Sequence, residues 1–238
     1  MASIADERSG ALTFWQKMAI GIAAFILFGF LQWTARGFVD IARVPVWIHI
    51  HALVMVSWLG LFIYQPTLIK RGDPARHRRF GRIGMALAAL IVILGSFASI
   101  MTIRTDHVPP FFTPAYFLAL NHVGLALFAA MLVAAIVNRH DTQMHRRLIV
   151  GANVLLMEPA YGRMLPMPLL APWGETVGML IQLGTLAIVA RRDRATLGSV
   201  HRATLIAIGV VAANHALYEA MGRTSLMAEL AARITGGG

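Results

Sequence analysis

Two short stretches of this chain, RGDPARHRR at 71–79 and RHDTQMHRR at 139–147, share the spacing Arg-x-Asp-x-x-x-His-Arg-Arg. Imidazole, guanidinium and carboxylate in one phrase can cap a helix, hold an anion or ligate a metal. The repetition extends beyond the phrase. Aligning His77 with His145 also aligns HALVMVSWLGLFIYQPTLIK, which starts at His51, with HVGLALFAAMLVAAIVNRH, which starts at His122. Each copy is a histidine near one end of an apolar run, a basic loop, then His-Arg-Arg. His77 follows His51 by 26 residues and His145 follows His122 by 23.

Part of the phrase has a structural explanation. Asp73 followed by Pro74 reads as the N-cap and first residue of a helix, and Asp141 fits the same role. Arg78, Arg79, Arg146 and Arg147 at helix starts would anchor to lipid phosphate and fix topology. Neutral imidazole does little for topology, so the histidines call for another reading. His51 and His122 lie inside apolar runs, where ionisable side chains are costly and face the bundle interior or a cavity.

The elements that must position these residues are membrane helices. Of 238 residues, 58% are hydrophobic and 13% charged, with a mean hydropathy of +0.67. Apolar runs at about 16–35, 46–69, 80–102, 116–137, 148–168, 174–190 and 203–221 are each near the roughly 20 residues needed to span a bilayer. The expected fold is an all-α polytopic membrane helix bundle of seven transmembrane helices in one domain. Its core at 46–168 would be a duplicated four-helix unit (spans 2–3 and 4–5). An N-terminal helix at 16–35 precedes the core, C-terminal helices at 174–221 follow it, and 230–238 would be a frayed tail.

Fifteen of the 21 Lys and Arg residues fall in the N-terminus and the loops after spans 2, 4 and 6. The positive-inside rule then places the N-terminus in the cytoplasm and the C-terminus in the periplasm of a bacterial inner membrane. A net charge of +10 distributed this way indicates anionic lipid headgroups as partners rather than nucleic acid. No cleavable signal peptide is expected at the polar N-terminus. The absence of cysteine excludes disulfides, thiolate metal sites and covalently attached haem.

At 1.5 Å per residue, the 18 residues from His51 to Ile69 descend about 27 Å. His122 lies at a depth similar to His51, and His77 and His145 at the opposite side. The four histidines therefore form an outer pair from spans 2 and 4 and an inner pair from spans 3 and 5. Bis-histidine haem b needs two neutral imidazoles on facing helices, each with its other ring nitrogen donating to a neighbour. Arg78 and Arg146 beside the inner pair would hold haem propionates. One or two haems would form an electron path across the bilayer.

The order H…W…Q…G…HRRFG followed by H…HRRL resembles a group of bacterial multi-pass proteins with HRxLG and H-[KR]-R-L motifs. It is more distantly similar to the cytochrome b561 family. The resemblance covers about 46–168. It implies a four-helix core with two b haems whose ligands pair helix 2 with 4 and helix 3 with 5, and a glutamine after the helix-2 ligand, as Gln65 follows His51. The chain departs from that family in a shorter spacing between the ligands of helices 2 and 3.

Other polar residues gather in the same half of the membrane as His51. Glu158 would be a proton-handling or ligand-supporting group, paired with Arg163. His51, His122, His215 and Glu158 together would suit zinc or non-haem iron and a membrane metalloenzyme. Gln182, Tyr161 and Trp173 could line a quinone pocket. A proton-coupled transporter and a respiratory-complex assembly factor are the remaining alternatives, and a homo-oligomer or larger membrane complex is compatible with all of them. No GxSxG, HExxH or P-loop motif is present.

Overall fold

A computed structural model describes residues 11–236, and every regular element among them is helical. The order is α1 (Phe14–Ala35), α2 (Val46–Lys70), α3 (Pro74–Arg104), α4 (Pro114–Val137), α5 (Thr142–Leu155), α6 (Glu158–Met164), α7 (Met167–Leu170), α8 (Gly174–Leu197), α9 (Arg202–Met221) and α10 (Ser225–Thr235). By length and composition, α1, α2, α3, α4 and α9 can each cross a membrane. Large apolar side chains on these helices point outward, among them Leu31, Leu53, Ile93 and Val133, each at least 60% exposed. Such a surface suits lipid rather than water.

The expected fifth and sixth crossings fall on less regular elements. The run at 148–168 is divided among α5, α6 and α7, with a turn at residues 156–157. Pro159 is the cause: it has no N–H for the carbonyl of Leu155, four residues earlier. The side-chain amide of Gln182 on α8 supplies the missing donor, reaching the carbonyls of Val154 at 2.9 Å and Leu155 at 3.4 Å. Helix α8 is 24 residues long but carries Glu175 in its first turn and Arg191, Arg192, Asp193 and Arg194 near its end.

Two compact units meet within α3, one ending at Ile91 and the other beginning at Val92. In the first, α1 packs on α2. Thr13 and Gln16 form a capping box at the start of α1, and the buried Gln16 amide donates to Thr67 on α2 at 3.0 Å. Farther along, Tyr64 of α2 meets Phe80 of α3 edge-on.

In the second unit α4, α5 and α9 form the core, with α8 on α9 and α10 on α4. Gly151 permits the close approach of these helices. A Cβ there would lie 2.6 Å from Met131 on α4 and 2.7 Å from Ala207 on α9. The stretch expected to fray is helical as far as Thr235. Thr224 caps α10, and Ala231 is buried as α10 lies on α4.

The buried ion pair of this unit joins α5 to α8. Arg147 and Asp193 are 2% and 0% exposed, with Nη2 2.5 Å from Oδ1. Asp193 also accepts from the Thr204 hydroxyl at 2.5 Å and the His201 N–H at 3.1 Å. Arg147 was expected on lipid phosphate. It is instead fully enclosed, because its place on α5 faces α8 and α9.

Candidate functional site

Both copies of the repeated phrase open a helix in the same way. Asp73 accepts from the N–H of Arg76 at 2.9 Å, and Pro74 begins α3. Asp141 caps α5 by accepting from the N–H groups of Gln143 and Met144 at 2.9 and 3.0 Å. These bonds, that of Met144 foremost, hold the Asp141 carboxyl below its ordinary range. His77 and His145 are each the fourth residue of their helix.

In the first unit His51 and His77 are half-buried, on α2 and α3. Gln65 donates to the backbone carbonyl of His77 at 3.3 Å, which ties the last turns of α2 to the start of α3. Arg78 and Arg79 are exposed.

In the second unit both histidines have a defined ring orientation. His122 Nδ1 lies 2.9 Å from the carbonyl of Leu118, one turn back on α4. A carbonyl only accepts, so Nδ1 carries the proton in the neutral ring, and Nε2 accepts from the Ser96 hydroxyl of α3 at 2.9 Å. His145 Nδ1 likewise donates to a backbone carbonyl, that of Ala135 on α4, at 2.8 Å. Each ring is thus held in the tautomer whose Nε2 can donate a lone pair to a metal. This is how ligating histidines are oriented by their surroundings. Arg146, half-buried beside His145, donates to Gln143 Oε1 at 2.5 Å.

A second polar group in the same unit joins α4, α6, α8 and α9. Tyr161 donates to Glu175 Oε2 at 3.1 Å, and Tyr218 lies within electrostatic reach of Glu175. The Tyr218 hydroxyl is 2.6 Å from Nδ1 of His215, whose Nε2 is 3.4 Å from Thr176 Oγ1. Tyr116 donates to Glu219 at 2.5 Å, and Glu219 pairs with Arg223. Its ring meets Tyr218 edge-on at 5.8 Å. Glu158 lies within electrostatic reach of Glu175 and Arg163, while Arg163 donates to the Pro159 carbonyl at 2.6 Å. Glu175 Oε1 and Asn214 Oδ1 are buried without a hydrogen-bond partner among the described residues. Carboxylate, phenol and imidazole in sequence form a chain along which a proton can pass.

Gly178 makes this arrangement sterically feasible. A Cβ at that position would come within 2.1 Å of the Tyr161 ring, so its absence leaves the space that brings the phenol to Glu175.

Glu158, His215 and Tyr161 are visible in the sequence as candidates, whereas Glu175, Tyr116 and Tyr218 emerge only from the fold. An acidic residue in the first turn of α8 reads as an ordinary partner of the helix dipole, and the two tyrosines read as interface aromatics. The one available signal was the spacing of His215 and Tyr218, three apart on α9. The residues assigned to a quinone pocket are used separately. Gln182 bonds the end of α5, Tyr161 bonds Glu175, and Trp173 is 67% exposed. Among the described residues no three His, Asp or Glu side chains gather as a metal-binding group; His215 is bonded to Tyr218 and Thr176, and His122 to Leu118 and Ser96.

Comparison of the chain with protein-family models, curated proteins and solved structures finds no match.

Proposed function

We propose that this chain is a membrane electron-transfer protein of the b-type cytochrome kind, placed in a bacterial inner membrane by seven crossings with its N-terminus in the cytoplasm. Haem b, one or two per chain, is held by the repeated histidines. The sequence repeat pairs His51 with His122 and His77 with His145, and it sets Arg78 and Arg146 against the propionates. Bound haem supplies a one-electron couple in the membrane interior.

The observation that carries this reading is the shared orientation of His122 and His145. Both give Nδ1–H to a backbone carbonyl, at 2.9 and 2.8 Å. A histidine placed only to bridge helices has no need of the same tautomer in two helices. Ser96 donates to Nε2 of His122 at 2.9 Å, and that nitrogen is the one that would hold iron. Glu158, with Glu175, Tyr218 and His215, provides the protonatable groups that a redox centre needs to balance a change in charge.

Substitution tests this directly. His122→Ala and His145→Ala are each expected to lower the haem-to-protein ratio of the detergent-purified chain while membrane insertion and helix content are retained. An unchanged ratio in both variants contradicts the assignment.

A further inference from the structure

We infer that the second unit binds an anionic amphiphile, a lipid-like molecule with a phosphate or carboxylate head and an acyl chain, in a groove between α3, α4 and α10. An apolar cavity of about 430 Å³ lies there. Its walls are Ile100 of α3, Leu118 and His122 of α4, and Met227, Leu230 and Arg233 of α10. That volume falls within the roughly 300–1,000 Å³ of small-molecule sites. A second cavity of about 470 Å³ adjoins it, sharing Ile100 and Arg233 and adding Arg104.

The two cavities differ in character along one line. Arg104 ends α3, Ile100 is one turn earlier, and Ser96, which bonds His122, is one turn earlier again. The groove therefore runs about 12 Å from a cationic mouth to an apolar interior. Arg104 and Arg233 are both exposed. Among the described residues neither forms an ion pair. Two guanidinium groups at the mouth of an apolar groove are complementary to an oxyanion that carries a hydrocarbon chain. A zwitterionic lipid brings its own cation to a site that already holds two, and a free phosphate would leave the apolar walls unfilled.

His122, a proposed haem ligand, also lines this cavity, but the anion preference rests on Arg104 and Arg233, which are not haem contacts, and so is tested apart from the haem reading. Native mass spectrometry of the full chain in detergent, with phosphatidylglycerol, palmitate or zwitterionic phosphatidylcholine added at equal concentration, provides the test. Phosphatidylglycerol or palmitate is expected to be retained roughly tenfold more than phosphatidylcholine. Retention of the former alone identifies a phospholipid head, and of the latter alone a free carboxylate. The double variant Arg104→Gln, Arg233→Gln is expected to bring the ratio within about twofold, with haem content unaltered. Leu230→Trp, which fills the groove and leaves both arginines, is expected to reduce retention of the anionic lipid. Equal retention of phosphatidylcholine, a preference that survives the double variant, or retention unaffected by Leu230→Trp overturns the inference.

Discussion

Arg146 and Arg147 occupy adjacent positions in one phrase yet have different surroundings. Both donate to Gln143 Oε1, but successive residues on a helix diverge by about 100°, so Arg146 stays half-buried while Arg147 turns into the contact of α5 with α8 and α9. In the other copy Arg78 and Arg79 are both exposed. The repeated sequence could not separate these outcomes, because only tertiary packing supplies Asp193. Removing one member of such a pair strands a charge. Asp193→Ala is expected to destabilise the chain by about 3–5 kcal/mol, measured by thermal unfolding in detergent. Asp193→Asn, which keeps hydrogen bonds to Arg147 and Thr204, is expected to be less damaging.

His201 supplies a second residue-scale prediction. Its Nδ1 accepts from the Ala203 N–H and so caps α9. This requires the neutral ring. Burial, reinforced by Arg147, holds its pKa below the ordinary histidine value. The folded state then binds a proton less readily than the unfolded one. The contribution is complete above the ordinary histidine range, near 6.5, and is lost as pH falls from there toward the lower folded value. Unfolding temperature is expected to drop across that interval. His201→Asn, a capping residue that does not titrate, is expected to flatten that part of the profile.

At the scale of elements, α1 to α4 and α9 were legible because long apolar runs bounded by polar loops have few alternatives. Asp73, Pro74 and Asp141 were legible as helix starts for an equally local reason. The division of the 148–168 run was legible only as Pro159. Its repair by Gln182, 23 residues later, joins groups that no local pattern connects. Helix α10 went unread because its apolar face is short and is completed by α4. Gln182→Leu removes the side-chain donor from the Leu155 carbonyl and leaves Val154 with the N–H of Met157 alone. A cost of about 1–3 kcal/mol is expected, together with faster amide hydrogen exchange in α5 and α6. Unchanged exchange there would show that the proline break is satisfied by other means.

For the whole molecule, a basic loop system, outward apolar side chains and five long apolar helices agree on a bilayer environment. Within it, the second unit offers two kinds of chemistry. His122 and His145 present oriented imidazoles, and the Glu175, Tyr218 and His215 chain can carry protons. The histidines were visible in the sequence as a repeat, whereas the proton chain was not, because it is assembled from two helices, α8 and α9, whose contributing residues lie some 40 positions apart. The proposed electron transfer would account for both features together. The dithionite-reduced minus air-oxidised absorption spectrum of the detergent-purified protein, produced with an adequate haem supply, tests this most directly. A sharp b-type α-band that is diminished in His122→Ala is the expected result. A featureless difference spectrum from folded protein would contradict the account.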